Sequence, residues 1–242
     1  MKAMILAAGQ GTRLAPLTAS LPKCMIPIGG MPVLEHTLIR LRGHDIIEVI
    51  INLRHQPDVI PAYFGDGSRW GVRITYSLEE EFLGTAGGVK QAAWFFDGPF
   101  LVLYGDNLST CNLSRLARRH GRRDSMATIA LYRRDDPSSS GIADVDAKDR
   151  IIRFVEKPRL EEVFSNWVNA GIYVLNPEIL DLIPTGQPND FGRDVFPHML
   201  AEGRALYGYR MQGDESLWWI DTPDDLARVQ RAFEYDKLEE EG

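Results

Sequence analysis

Short runs of consecutive apolar residues alternate with stretches of helical pattern along the first half of the chain. Strands buried on both faces read as such runs, which here predict strands at 2–7, 46–52, 72–77, 99–104 and 126–132. Between them the pattern predicts helices near 33–43, 57–64, 86–95 and 113–120. Strand and helix in alternation imply an α/β fold with a mostly parallel sheet covered on both sides. After residue 140 the pattern changes. Residues 143–157 read as a hairpin turning at Asp149, followed by a strand through Val168 to Leu175. Helical segments near 177–182 and 193–202 flank a further strand at 205–210. The last helix has a clear start, with Thr222 as N-cap, Pro223 at the first helical position and Asp225 completing a pattern like a capping box. Leu226, Val229 and Phe233 are expected to face the core from it, and the acidic end to be solvated.

The bulk properties narrow the function classes. At 242 residues and 44% hydrophobic content the chain can bury a substantial core, and no Pro/Gly/Ser linker divides it. Its formal charge of −7 argues against a nucleic-acid binder, whose footprint is a basic face. Anionic ligands must then be held by local groups. Cys24 and Cys111 are too few for a disulfide framework and read as reduced thiols. No signal-peptide pattern and no apolar run of membrane-spanning length is present, so a cytoplasmic location with no membrane partner is expected.

The most informative segment is MILAAGQGTRLAPLTASLPKCMIPIGGMPVLE at residues 4–35. An apolar strand runs into Gly9 and Gly11, whose freedom at positive φ lets backbone N–H groups approach an anion, while Arg13 and Lys23 add fixed positive charge. Two familiar phosphate loops do not fit. The dinucleotide fingerprint needs glycine where Leu14 stands, and a Walker loop needs Gly-Lys-Ser/Thr where Gly11 is followed by Thr12 and Arg13. A short glycine turn alone is equally a structural turn. The longer pattern GxGTRLxPLTxxxPKxxxPIxGxPxLE constrains many positions at once. Further motifs follow in order: LGTAGG at 83–88, GDN at 105–107, FVEKP at 154–158, VNAGIYVL at 168–175 and WID at 219–221.

At these residues the chain resembles the sugar-1-phosphate nucleotidyltransferases, with mannose-1-phosphate guanylyltransferases the nearest subfamily. The resemblance implies a three-layer, Rossmann-like fold with an inserted antiparallel sugar-binding subregion, formed by residues 1–242 as one domain. Longer relatives carry a left-handed β-helix, of which no hexapeptide repeat is seen here. The implied reaction is attack by a sugar-1-phosphate on the α-phosphorus of a nucleoside triphosphate, releasing pyrophosphate. Arg13 and Lys23 match the catalytic cations. Leu6, Ala8, Gly9, Gly11, Thr12, Gly84, Thr85 and Gly87 match nucleotide-binding positions, and Asn107, Gly141, Glu156, Lys157 and Asn169 match the sugar-phosphate site.

Asp106 and Asp221 match the family's metal ligands. A carboxylate facing a triphosphate is repulsive unless a cation intervenes, and Mg²⁺ is commonly held by one or two carboxylates plus substrate phosphates. An aspartate in a Gly-Asp-Asn turn is also simply a turn former. One departure stands out: relatives commonly have Asp-x-Gly-Thr-Pro where this chain has Asp221-Thr222-Pro223, which would draw the carboxylate toward the helix start. For the base, a carboxylate at Glu80 or Glu81 would accept from the N–H donors of guanine, favouring GTP over UTP or dTTP. An acidic run of this kind also reads as a solvated loop, and Glu156-Lys157 as an exposed charge pair. A non-catalytic homologue that binds nucleotide sugar is the competing reading from another class. Dimers or tetramers are usual in the family.

Overall fold

A computed structural model describes the chain over residues 1–240. Thirteen strands occur: β1 (Lys2–Leu6), β2 (Pro27–Ile28), β3 (Met31–Pro32), β4 (Glu48–Leu53), β5 (Arg73–Leu78), β6 (Phe100–Tyr104), β7 (Asn107–Ser109), β8 (Ala127–Arg133), β9 (Gly141–Val145), β10 (Ile151–Glu156), β11 (Trp167–Leu175), β12 (Leu206–Arg210) and β13 (Leu217–Trp219). The α-helices are α1 (Val33–Gly43), α2 (Val59–Phe64), α3 (Gly84–Gln91), α4 (Leu113–Gly121), α5 (Phe196–Ala201) and α6 (Pro223–Glu240).

Strands β6, β1, β4 and β5 form the parallel heart of a nine-stranded sheet. Beyond β6 the pairing turns antiparallel at β11, which pairs both β8 and the β9–β10 hairpin. The register of β11 against β8 breaks between Asn169 and Tyr173. Gly171 makes the break possible: its φ is +69°, and a Cβ there would lie 2.8 Å from Tyr104 Cγ. The α/β fold with an added antiparallel region is therefore as expected.

The two faces of the sheet follow from the two-residue period of a strand. Ala3, Ile5, Val49, Ile51, Leu101 and Leu103 point to one face, where they meet Leu34, Leu38 and Leu41 of α1, Ile60 and Phe64 of α2, and Leu113 and Leu116 of α4. Met4, Ile50, Phe100 and Val102 point to the other, against Ala86 and Val89 of α3 and Phe196 and Met199 of α5. Truncating a fully buried leucine such as Leu38 to alanine should cost about 2–5 kcal/mol. A third cluster joins Leu14, Ile26, Ile28, Val33, Leu108 and Ile220 to Leu226 and Val229 of α6, with Phe233 packed at its edge. This cluster fastens the last helix beside the glycine loop.

Several boundaries differ from expectation. The segment at 193–202 starts earlier, because Asp190 accepts from the N–H groups of Gly192 and Arg193 and opens a π-helical turn at Phe191–Val195 that continues into α5. The helical segment expected near 177–182 is present with those bounds, as a 3₁₀ helix at Pro177–Leu182. The expected helix at 86–95 begins at Gly84 and passes into a 3₁₀ turn at Ala93–Phe95. The ribbons β2–β3 and β7–β13 are too short for a periodic signal. The hairpin turns at Asp149 as expected, with φ +61° there. Thr222 and Asp225 form the expected reciprocal cap: Asp225 N–H donates to Thr222 Oγ1 and Thr222 N–H to Asp225 Oδ2, both at 3.1 Å.

Candidate active site

Ligands of open α/β sheets collect beyond the carboxyl ends of the strands, and a cleft of about 290 Å³ opens at that edge. The loop after β1 supplies Leu6, Ala7, Ala8, Gly9, Gly11, Thr12 and Arg13. The end of β6 supplies Tyr104 and Asp106, and the step from β13 to α6 supplies Asp221. Lys23, Cys24, Asn52, Phe82, Gly84 and Thr85 complete the wall. Gly11 has φ +61°, and a Cβ there would stand 3.0 Å from both Lys23 Cβ and Thr18 Cγ2, so the turn needs glycine. Asn52 Oδ1 accepts from Ala7 N–H at 2.7 Å, and Thr18 Oγ1 donates to Gly11 carbonyl at 2.9 Å. The loop is held open and preshaped.

At the cleft floor Lys23 Nζ lies 2.6 Å from Asp106 Oδ2 and 2.6 Å from Asp221 Oδ1. Arg13 Nη2 approaches the same Asp221 oxygen at 3.2 Å. Burial alone would pull the Lys23 ammonium down, but Asp106 and Asp221 outweigh it and hold the pKa above its ordinary value. Burial pushes Asp221 up, and Lys23, Arg13 and Lys157 more than offset this, leaving its carboxyl below the ordinary range. The shortened Asp-Thr-Pro motif therefore still delivers Asp221 to the site.

These shifts have a stability consequence with a definite sign. Asp221, depressed in the folded chain, contributes stability above its ordinary value of 3.8 and loses it as pH falls through the lower folded value. Lys23, raised, contributes fully below 10.5 and loses its contribution as pH rises through the folded value. Urea unfolding of Asp221→Asn across acid pH should show a shallower decline than the parent chain. A parallel decline would mean the carboxylate is not held by these cations.

Behind Tyr104, which Tyr173 contacts, the antiparallel strands gather a further group of the expected residues. Glu156 on β10 is opposite Gly141 on β9, and its Oε2 fills the space that a Cβ on Gly141 or Gly192 would occupy. Burial, then Asp190, pushes the Glu156 carboxyl up, opposed by Lys157 and Arg193. No side-chain hydrogen bond to Glu156 occurs among the described residues. Asn169 Nδ2 donates to Tyr173 Oη at 2.8 Å, and Tyr173 Oη donates to Tyr104 Oη at 3.2 Å. Lys157 is exposed with φ +48°, a conformation costly for a side-chain-bearing residue, and its charge reaches both Glu156 and Asp221.

Four expected positions fall elsewhere. Glu80 and Glu81 are exposed and off the cleft; the carboxylate that turns inward is Glu79, 2% exposed, because its N–H continues the β5 ladder onto Leu53 carbonyl. Glu79 Oε1 accepts from Asn52 Nδ2 at 2.6 Å and Oε2 from Leu83 N–H at 3.3 Å, so it braces the wall from behind. Gly87 is a packing glycine, since a Cβ there would lie 2.8 Å from Gln187 carbonyl. Asn107 opens β7 and lines a separate small recess with His36 and Arg40.

Tyr104, Tyr173, Asn52, Phe82 and Asp190 were not anticipated. Asp190 was legible as a helix cap, and Tyr104 as the strand residue just before the GDN motif. Gly84, at φ +72°, would place a Cβ 2.5 Å from Asn189 carbonyl. Gly84→Ala should destabilise by about 1–3 kcal/mol in denaturant titration.

Among the described residues no histidine lines the cleft. The five histidines are occupied elsewhere: His36 with Ile28 carbonyl, His44 with Ser114, His55 with Thr18 carbonyl, His120 with Thr128 and Asn176, and His198 with Glu202. Burial and Asp106 push the Cys24 thiol up to about 12, so it is no nucleophile.

Residues 2–234 match the family model described as nucleotidyl transferase. The chain belongs to the nucleotidyl transferase family. It is 40% identical over 235 residues to a UTP–glucose-1-phosphate uridylyltransferase of Synechocystis, and 39% identical over 229 residues to a mannose-1-phosphate guanylyltransferase of Mycobacterium tuberculosis. The matches cover 91% and 93% of this chain but 60% and 62% of those relatives. Among solved structures, HddC from Yersinia pseudotuberculosis in complex with GMP-PN superposes with TM-score 0.79 at 25% identity, over 96% of this chain and 99% of that one. A Bacillus anthracis protein assigned as a glucose-1-phosphate thymidylyltransferase superposes with TM-score 0.87 at 25% identity, over 96% and 95%. Among the described residues no helix is long and apolar enough to cross a membrane.

Proposed function

We propose that this chain transfers a nucleotidyl group from a nucleoside triphosphate to a sugar-1-phosphate, releasing pyrophosphate, with residues 1–240 acting as one catalytic unit. The observation that carries the reading is the convergence of Arg13, Lys23, Asp106 and Asp221 on one floor beneath a glycine loop, from segments far apart in sequence. The sugar-phosphate nucleophile is already ionised, because the second pKa of a phosphate monoester is about 6. No general base is needed, which suits a cleft lined by no histidine. The residues bind and orient two anions and offset their charge.

In this reading the loop N–H groups and Arg13 take the β and γ phosphates. Lys23 lies near the reacting phosphorus, and Lys157 takes the sugar phosphate. Glu156 accepts from sugar hydroxyls beside Gly141, while Asn169 orients Tyr173. Two carboxylates without a third His, Cys, Asp or Glu nearby make no all-protein metal cage among the described residues. They suit Mg²⁺, which takes one or two carboxylates plus substrate phosphates. Asp106 and Asp221 would hold such an ion, which neutralises phosphate charge when bound.

The base and sugar are proposed as guanine and mannose, on the strength of the guanylyltransferase relatives and the GMP-PN-bound neighbour. The uridylyltransferase relative supports UTP and glucose-1-phosphate as the second reading. With Glu80 facing solvent, the base is left to the part of the wall formed by Phe82, Gly84 and Thr85. Specificity constants for GTP, UTP and dTTP, each with mannose- and glucose-1-phosphate, decide the point. GTP with mannose-1-phosphate should lead; a lead for UTP or dTTP overturns the guanylyl reading.

A further inference from the structure

Although the whole chain is acidic, one helix and its exit carry five arginines: Arg115, Arg118, Arg119, Arg122 and Arg123. Together with Tyr209, Gln212 and Asp214 they line an open groove of about 850 Å³, formed by residues other than those of the catalytic cleft. Arg115, Arg119 and Arg123 recur at four-residue spacing, as do Arg118 and Arg122. Like charges so placed repel along a helix. The helix C-terminus offsets part of this, since cations there complement its dipole.

Internal anions balance only part of the charge. Asp149 is 6% exposed and is contacted by Arg119 and Arg210, with Arg123 at 3.6 Å. Three guanidinium groups thus share one carboxylate. Burial first, then the neighbouring Arg123 and Arg210, pull Arg119 below its ordinary value. Arg115 is opposed by Asp214 at 3.4 Å and by Glu215 at 3.8 Å. Arg118 and Arg122 are exposed and have no partner among the described residues. Two unpaired guanidinium groups one helical turn apart, at the rim of a cationic groove, present forks that match phosphate oxygens bidentately.

We propose that this groove is a second anion site, taking a small molecule that carries at least two phosphates. It is independent of the catalytic reading, whose failure would show as absent turnover. Inorganic tripolyphosphate is the probe, titrated calorimetrically into the purified chain and into Arg118→Ala/Arg122→Ala. Neither arginine touches the cleft or any internal partner, so the double variant should keep the parent unfolding temperature. Its groove affinity should fall at least tenfold, and Arg118→Lys/Arg122→Lys should restore part of it as point charges without the fork. Rising salt should weaken the parent's groove binding. Identical isotherms for the parent and the alanine variant overturn the site. An acidic polypeptide or a single-stranded oligonucleotide that binds these arginines with a smaller Kd than tripolyphosphate overturns the small-molecule assignment.

Discussion

Asp106→Asn should lower turnover by on the order of 100-fold or more, while the folded chain persists. The substitution keeps the shape of the side chain and removes one negative charge from the pair that grips Lys23, whose ammonium lies 2.6 Å from each carboxylate. Two effects coincide. On the proposed reading the site loses a ligand for a divalent cation, and Lys23 is left with Asp221 as its one ionised partner. They separate on titrating Mg²⁺: a lost ligand raises the metal concentration needed for half-maximal rate, whereas a displaced lysine lowers the plateau. Near-normal activity at limiting Mg²⁺ would show that Asp106 holds no metal. Turnover of the parent chain in excess chelator would remove the metal from the reading altogether.

How far the sequence shows this site depends on distance along the chain. The parallel half was legible because β1, β4 and β6 are buried on both faces and carry near-continuous apolar runs, as at Met4, Ile5, Ile50, Ile51, Leu101 and Val102. The glycine loop was legible for a related reason: Gly11 adopts φ +61° against Lys23 and Thr18, and few other sequences satisfy such a turn. What escaped was the direction of side chains at strand ends. Glu79, Glu80 and Glu81 are chemically alike, and only the Glu79 N–H to Leu53 carbonyl bond decides which of them turns inward. Asn107 shows the same limit. Motif position placed it near sugar, but the start of β7 carries it to a recess with His36 and Arg40. Tyr104 and Asp190 carry no motif of their own; Tyr104 lines the cleft and meets Tyr173, and the charge of Asp190 pushes the Glu156 carboxyl up.

The two outlying cations should fail in different ways. Arg13→Ala should reduce kcat by about 100- to 1,000-fold, because charge on the departing pyrophosphate grows in the transition state and Arg13 is the exposed fork of the glycine loop nearest Asp221. Lys157→Ala should instead raise the KM for sugar-1-phosphate by about 10- to 100-fold, the cost of one charge-assisted hydrogen bond, with a smaller change in kcat. The backbone supports this division. Lys157 is held at φ +48° next to Glu156 in the chain, and its charge acts on both Glu156 and Asp221. Arg13→Lys should recover only part of the lost rate, since an ammonium cannot present two parallel donors to a diphosphate. Calorimetric titration of each variant with nucleotide and with sugar phosphate separates binding from chemistry. Equal loss of nucleotide affinity in Arg13→Ala and Lys157→Ala would place both cations on the triphosphate and leave the sugar phosphate to Arg193, the other cation whose charge reaches Glu156.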